Sequence, residues 1–138
     1  MSFQRFCALA EQPINLPEIG GYWYVLTPYT KYPHGISRAF EDAVEVCQDL
    51  LERGVNLFCP VAHSHHLAVQ RNRLCPVDGA YWSGFNKPLL EASAGGILIR
   101  MRGWDESRGI DEELKYFDTT DKPVICFDVV YPAEVIDG

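Results

Sequence analysis

Two short apolar runs, GGILIRM at residues 95–101 and PVICF at residues 123–127, enclose an amphipathic segment of this 138-residue chain. Neither run shows the strict alternation of a strand with one exposed face, while the segment between them repeats its apolar residues at helical spacing. Apolar strands joined by an amphipathic helix are typical of a parallel sheet that helices cover on both faces. The segment therefore predicts an α/β fold.

The rest of the chain repeats this alternation of strands and helices. We expect strands at residues 22–26, 55–59, 95–101 and 123–127, with a fifth from Asp128 onward, and helices from Ser37 to just before Gly54, within 80–93, and at 107–118. Ser37 is the expected N-cap of the first helix. Pro88 cannot continue the second helix without losing a hydrogen bond, so that helix either kinks there or starts near Asn86.

Two parts of the chain lack a clear pattern. Residues 61–79 contain several turn formers and no clean period, so we expect a long loop with at most one helical turn. Residues 1–20 carry two prolines and are expected to form an irregular N-terminal arm. The length suits one domain over residues 1–138.

Composition limits the partners of the protein. A net charge of −7 argues against nucleic-acid polymers, which bind basic surfaces. No apolar run approaches the roughly 18 residues of a membrane span, and the N-terminus is a poor secretory signal. The odd number of cysteines and the lack of a CxxC pair favour reduced, mostly buried thiols of a cytoplasmic protein. These cysteines are Cys7, Cys47, Cys59, Cys75 and Cys126.

Polar and aromatic residues follow three of the predicted strands, where parallel sheets bind their ligands. They are Thr27, Tyr29, Tyr32, His34, His63, His65, His66, Trp104, Asp105, Ser107 and Arg108. No cysteine or acidic residue lies at metal-ligand spacing from His63, His65 and His66, so we predict no metal site. The segment Ser107-Arg108-Gly109 is expected at a helix N-terminus, where free N–H groups and the helix dipole favour an anion.

Glu113 is the most unusual residue of the third predicted helix. It falls on the same helical face as Ile110, Leu114 and Phe117, although a buried carboxylate costs several kcal/mol unless it is paired. The residue pattern alone leaves two interpretations. Glu113 is either part of a functional site or one half of a buried ion pair, with Arg100 or Arg108 as the partner.

Four features of the chain resemble the nucleoside 2-deoxyribosyltransferase superfamily, and more narrowly a bacterial or phage-borne branch of it. They are a first strand that ends in a small polar and aromatic turn, Pro60 followed by Ala62-His63-Ser64-His65, an aromatic helix with Trp82, and Gly103-Trp104-Asp105-Glu106-Ser107-Arg108-Gly109 with Glu113 six residues after Ser107. The resemblance implies a flavodoxin-like (Rossmann-like) three-layer sandwich with a five-stranded, mostly parallel sheet. It also implies a homodimer or a higher homo-oligomer, whose subunits help to close the pocket.

The resemblance further implies an N-glycosidase or deoxyribosyltransferase that acts on a nucleoside or a nucleoside 5′-monophosphate without a cofactor. Glu113 would be the nucleophile at C1′, and Tyr29 would orient it or stack on the base. Further implied substrate contacts are Thr27, His63, His65, Trp82, Asn86, Trp104 and Asp105, and the implied phosphate contacts are Ser107, Arg108 and Gly109. Related sequences often carry acids where this chain has Asn86 and Ala94. A nucleotide-binding module without turnover is therefore the alternative.

Overall fold

The computed structural model describes Leu9 and residues 14–71 and 73–131. The elements in chain order are β1 (Trp23–Leu26), α1 (Ile36–Glu52), β2 (Leu57–Phe58), α2 (Pro60–Val69), α3 (Gly79–Ala92), β3 (Gly95–Arg100), α4 (Arg108–Thr119) and β4 (Val124–Asp128), with a 3₁₀ turn at Trp104–Glu106. The predicted α/β alternation is confirmed.

The four strands form one parallel sheet in the order β2-β1-β3-β4. In the register, Trp23 of β1 lies opposite Leu57 of β2 and Gly95 of β3. The prediction of a fifth strand is wrong for the described part of the chain, because residues 129–131 form no strand. A further parallel strand needs a crossover of about a dozen residues, whereas residues 129–131 follow β4 directly.

Helices cover both faces of the sheet, as the apolar strands predict. Trp23 and Val25 of β1 point to the face that α1 covers with Ala43 and other small or branched residues. Tyr24 and Leu26 point to the opposite face, where α4 contributes Phe117 and where Leu89 and Leu90 of α3 pack at the margin. The two cores therefore lie on opposite sides of β1, since successive side chains of a strand alternate in direction.

Two helix boundaries differ from the prediction. The residue that precedes α1 is Gly35, with a φ angle of 90°, and Ser37 lies within the first turn instead of capping it. The predicted end of α1 just before Gly54 is confirmed, since Gly54 occupies the C′ position with a φ angle of 83°. Helix α3 begins at Gly79 because the Asp78 carboxylate accepts a hydrogen bond from the Tyr81 N–H at 3.2 Å. Asn86 is consequently a residue of the helix, and so is Pro88.

The long loop predicted over residues 61–79 is wrong, because α2 occupies Pro60–Val69. Pro60 stands at the first helical position, where its missing N–H removes no hydrogen bond. The buried side of α2 consists of Ser64, His65 and Ala68. Because a serine and a histidine occupy core-facing positions, the apolar period that reveals most helices is missing here.

The cysteine prediction holds in part. Four cysteines are free among the described residues, but Cys75 and Cys126 are exposed, and only Cys47 and Cys59 are buried. Cys7 lies outside the described residues. Residues 14–20 of the predicted N-terminal arm form no helix or strand, and the rest of that arm, apart from Leu9, is not described. Within the described ranges, none of the helices has the length and apolar character that crossing a bilayer requires.

Candidate functional site

A cavity of about 690 Å³ opens at the carboxyl end of β1. Its walls come from β1 and the loop after it, the start of α2, the length of α3 and the first turns of α4. This position lies beside the point where the strand order reverses between β1 and β3, which is where open α/β sheets bind their ligands. The volume falls within the roughly 300–1,000 Å³ of small-molecule sites.

The cavity wall brings together eight of the predicted site residues. These are Thr27, Tyr29, Trp82, Asn86, Ser107, Arg108, Gly109 and Glu113. They come from four separate elements or loops, so the sheet topology, rather than closeness along the chain, assembles them.

The structure does not place the other four predicted residues on this wall. His65 is buried and lines a smaller adjoining cavity of about 90 Å³. His63 is exposed and lies against Phe85, with the two rings stacked at 5.7 Å. Trp104 packs against the core that contains Tyr24 and Phe117, and Asp105 is exposed.

Glu113 lies on the inward face of α4, and its carboxylate is buried beside the cavity. The Tyr24 hydroxyl is the neighbour that favours the ionised form of this carboxylate, through hydrogen bonding that lowers its pKa. Its Oε2 atom has no hydrogen-bond partner among the described residues. Burial raises the pKa of Glu113 from 4.5 to about 7, against the opposing effect of the Tyr24 hydrogen bond, and nearby Cys59 and Glu112 raise it further. The carboxyl group is therefore poised to change charge near neutral pH.

The interpretation of Glu113 as one half of a buried ion pair, which the sequence left open, is wrong. Arg100 binds Asp128, with Nε 2.7 Å from Oδ1, and Arg108 binds Glu112, with Nε 3.2 Å from Oε1. Neither arginine pairs with Glu113. A buried carboxyl group without a cation is an expensive arrangement, and it is found most often where the group has a chemical task.

Tyr24, which sequence reasoning missed, takes the position next to Glu113 that we expected for Tyr29. The Tyr29 hydroxyl instead lies 2.6 Å from Nδ1 of His65, and burial raises the pKa of Tyr29 to about 12. Burial also lowers the pKa of His65, which favours the neutral form of the ring. The alternation of β1 could have identified Tyr24, because it points to the same face of the sheet as Leu26, the face that α4 covers.

The start of α4 is a serine-capped helix N-terminus, as the sequence predicts. Ser107 is the N-cap, and its Oγ accepts a hydrogen bond from the Ile110 N–H at 3.2 Å. The N–H groups of Arg108 and Gly109 precede the first intrahelical donor, and both residues line the cavity. Gly109 leaves room there, since the nearest atom to an added Cβ would be Glu113 Oε1 at 3.8 Å. A phosphate or carboxylate could bind at this end of the helix.

Asn86 supplies a second buried acceptor. Its Oδ1 atom has no hydrogen-bond partner within the described part of the chain, and the residue lines both the large cavity and the small one. Ala94, the other departure from the related sequences, directly precedes β3 at the amino end of that strand. It does not line the cavity. Of the two departures, Asn86 alone is thus positioned to affect ligand chemistry.

The loops on either side of the cavity touch at Gly103. This glycine has a φ angle of 89°, and an added Cβ would overlap the backbone carbonyl of Lys31 in the loop after β1. The contact joins the loop that follows β1 to the loop that leads into Ser107. It therefore fixes the distance between two walls of the cavity.

Replacing Gly103 with alanine is expected to lower the free energy of unfolding by about 2 kcal/mol, through the left-handed backbone and the overlap with Lys31. Urea denaturation measures this change. Gly84→Ala is the control, because nothing lies within 4 Å of its added Cβ and the residue is inside α3. It should be neutral or slightly stabilising. Equal stability of the two variants would contradict the close loop contact.

Comparison with known proteins identifies the family but no activity. No curated protein matches the chain. The described residues also contain no group of three or more histidine, cysteine or acidic side chains that could hold a metal ion. A family described as a domain of unknown function, DUF1937, matches residues 21–129. These residues include every strand of the sheet and the whole cavity wall. The chain therefore belongs to the DUF1937 family.

Proposed function

We propose that this protein cleaves the N-glycosidic bond of a nucleoside or a nucleoside 5′-monophosphate, with Glu113 as the nucleophile. One observation carries the proposal. Glu113 presents a buried carboxyl group without a cation partner to a cavity of ligand size, six residues after the serine that caps the same helix. Both residues belong to the motif through which the chain resembles the nucleoside 2-deoxyribosyltransferases.

The strand order supports the finer fold assignment. The order β2-β1-β3-β4 corresponds to the first four strands of the flavodoxin-like sheet, and helices lie on both of its faces. We therefore assign the protein to the flavodoxin-like, Rossmann-like sandwiches, with one strand fewer than expected among the described residues. Fold alone does not imply an activity, so the proposal depends on the cavity residues.

In the proposed reaction, the ionised Glu113 carboxylate attacks C1′ of the sugar. A carboxylate–C1′ bond forms, the C1′–N bond breaks, and its electron pair leaves with the base, which takes up a proton from solvent. Water then hydrolyses the glycosyl ester, or a second base accepts the sugar. Because the pKa of Glu113 is about 7, the nucleophilic form predominates above neutral pH.

The alternative is a nucleotide-binding module without turnover, and Asn86 favours it. An amide on the α3 wall cannot protonate a departing base. The other two carboxylates of the wall, Glu91 and Glu112, are exposed and lie next to Lys87 and Arg108, respectively. Glu113 is thus the one acid of the described cavity wall that is not exposed, and its Oε2 atom is buried. A substrate whose base leaves readily, without an acid catalyst, would suit this site.

The test is incubation of the purified protein with a panel of ribo- and deoxyribonucleosides and their 5′-monophosphates, with free base measured by chromatography. We expect base release from at least one of them, faster at pH 8 than at pH 6. Binding without release would support the non-catalytic alternative. Neither binding nor release from any compound would refute both proposals.

Three further proposals concern the oligomeric state, the location and the ligand class of the protein. We infer a homodimer or a higher homo-oligomer, since α3 has no fully buried residue and exposes Tyr81 and Phe85, at 51% and 41%. The free described cysteines support a cytoplasmic location. The net charge of −7 supports a small-molecule ligand over a nucleic-acid polymer.

A further inference from the structure

The large cavity has one carboxyl group for the nucleophile and no second one suited to protonate a departing base. The other carboxylates of its described wall, Glu91 and Glu112, are exposed. Glu91 Oε1 lies 3.9 Å from Lys87 Nζ. Glu112 Oε1 lies 3.2 Å from Arg108 Nε. A carboxyl group acts as an acid catalyst near neutral pH when burial keeps it protonated, and neither glutamate has such surroundings.

The remaining proton donors beside the cavity are weak acids. Phenols and ammonium groups have ordinary pKa values of about 10. Those of the described wall belong to Tyr24, Tyr29, Tyr116, Lys31 and Lys87. Burial raises the pKa of Tyr24 and brings that of Tyr29 to about 12. Burial lowers the pKa of His65, whose Nδ1 lies 2.6 Å from the Tyr29 hydroxyl, and so favours the neutral ring. These groups give up a proton poorly at neutral pH.

Glu113 lacks a cationic partner in the described part of the chain. Neither Arg100 nor Arg108 pairs with it, and its buried Oε2 atom has no hydrogen-bond partner among the described residues. Burial raises its pKa to about 7, because the ionised form is poorly solvated there. A positive charge on a bound ligand would lower this pKa and favour the ionised nucleophile. The site of Glu113 therefore suits a cation.

The smaller cavity of about 90 Å³ adjoins the large one, and both are lined by Tyr29, Trp82 and Asn86. Trp82 Nε1 donates a hydrogen bond to the Cys75 carbonyl at 2.9 Å, which orients the indole ring. The faces of tyrosine and tryptophan rings attract cations. Asn86 Oδ1 is a buried acceptor without a partner in the described ranges, so it suits an N–H donor on the ligand. This region favours a flat, cationic ring that carries an amide or amino group.

We infer that the ligand is an N-glycoside whose base is a positively charged aromatic ring, such as a pyridinium or an N7-alkylated purine. The inference rests on the proposed function and names its substrate class. Glu113 forms the ester bond with C1′, the C1′–N bond breaks, and its electron pair neutralises the ring. The base then leaves as a neutral molecule and needs no proton. Water hydrolyses the ester, which restores the carboxylate and releases one proton to solvent.

The first experiment compares kcat/KM within two matched pairs of nucleosides at pH 7. Nicotinamide riboside is paired with its neutral dihydro form, and 7-methyladenosine is paired with adenosine. We expect the native protein to prefer at least one cationic member by about 10²-fold or more, since acid catalysis of that size is what a neutral base needs. The pair that shows the preference tells a pyridinium ligand from an alkylated purine.

The second experiment uses probes that have no glycosidic bond, because cationic nucleosides are also more reactive without an enzyme. The cations 1-methylnicotinamide and 7,9-dimethyladenine are compared with neutral nicotinamide and 9-methyladenine by isothermal titration at pH 8. We expect the native protein to bind at least one cation about 10-fold more tightly than its neutral counterpart. Glu113→Gln should lose this preference. Glu112→Gln, which removes the same charge from an exposed neighbour, is the matched control and should keep most of it.

The two experiments separate this inference from the proposed reaction. If no nucleoside is cleaved but a cation binds preferentially through Glu113, the reaction fails and the cationic ligand class stands. If the neutral nucleosides are cleaved as well as the cationic ones, the reaction stands and the inference is overturned. Native protein that binds no cation more tightly than its neutral counterpart, or Glu113→Gln that keeps the native preference, would also overturn it. Thermal denaturation of each variant checks that the fold is retained.

Discussion

Replacing Glu113 with glutamine is expected to reduce base release by roughly 10³-fold or more, as the loss of a catalytic nucleophile does in other enzymes. Glutamine has nearly the same size, and its amide oxygen can still accept the hydrogen bond from Tyr24. It cannot form a glycosyl ester of the carboxylate. The reaction should therefore fail at the chemical step while the cavity keeps its shape. Chromatographic measurement of kcat for free base gives the result.

Glu112→Gln is the matched control for this experiment. The two glutamates are neighbours on α4, but the Glu112 side chain is 55% exposed and forms an ion pair with Arg108. Its loss should lower kcat far less than the loss of Glu113, since it leaves the Glu113 carboxylate in place and removes only a minor influence on the pKa of that group. Equal rates in Glu113→Gln and the native protein would rule out the nucleophile. A similar loss in both variants would point to the charge of α4 as a whole instead of one carboxylate.

The start of α4 could be predicted from sequence because its signals are local. A serine at the helix start and a repeat of Ile110, Glu113 and Phe117 lie within eleven residues of one another, so spacing alone places Glu113 on the inward face. The convergence of Thr27 and Ser107 on one cavity also followed, because parallel strands bring their carboxyl ends to the same edge.

Other parts of the site depend on contacts between distant segments. The pairing of Tyr29 with His65 requires α2, a helix hidden from sequence analysis because Ser64 and His65 occupy its buried side. Tyr24 reaches Glu113 across the contact between β1 and α4, 89 residues further along the chain. Sequence spacing carries no information about such pairs. His63 lies away from the cavity for the same reason, since its place depends on the direction of α2.

The choice between an ion pair and a functional carboxylate also needed the structure. Either partner was compatible with the sequence, because Arg100 lies three residues before the motif and Arg108 lies within it. In the structure, Arg100 forms an ion pair with Asp128, and Arg108 forms one with Glu112. What remains is a buried carboxyl group whose protonation must affect stability, and this effect can be measured without knowing the substrate.

The free energy of unfolding is expected to fall as the pH rises from about 4.5 to about 7, by an amount on the order of 3 kcal/mol from Glu113. Burial raises the pKa of Glu113 from 4.5 to about 7 in the folded protein. Between these values the folded state keeps a proton that the unfolded state has lost, so stability decreases with pH across this window. Below about 4.5 the contribution is fully present, and above about 7 it is fully lost.

Glu113→Gln isolates this contribution, because other groups titrate in the same range. His65, whose pKa is lowered by burial, acts in the opposite direction, since its folded form binds fewer protons and gains stability as the pH rises. Urea denaturation of both proteins at pH 5 and pH 8 removes such shared effects by difference. We expect Glu113→Gln to gain stability relative to the native protein between pH 5 and pH 8, by up to about 3 kcal/mol. Glu112→Gln, which removes only a minor cause of the raised Glu113 pKa, should gain far less.

The sign of this change distinguishes the interpretations of Glu113. A glutamate held in a buried ion pair would make the native protein more stable than its glutamine variant at pH 8, because breaking such a pair costs about 3 to 5 kcal/mol. A carboxylate kept buried without a cation gives the reverse, a variant that is more stable and less active. Since the ionised form that weakens the fold above pH 7 is also the proposed nucleophile, loss of activity together with a gain in stability at pH 8 would tie both properties to this one carboxyl group.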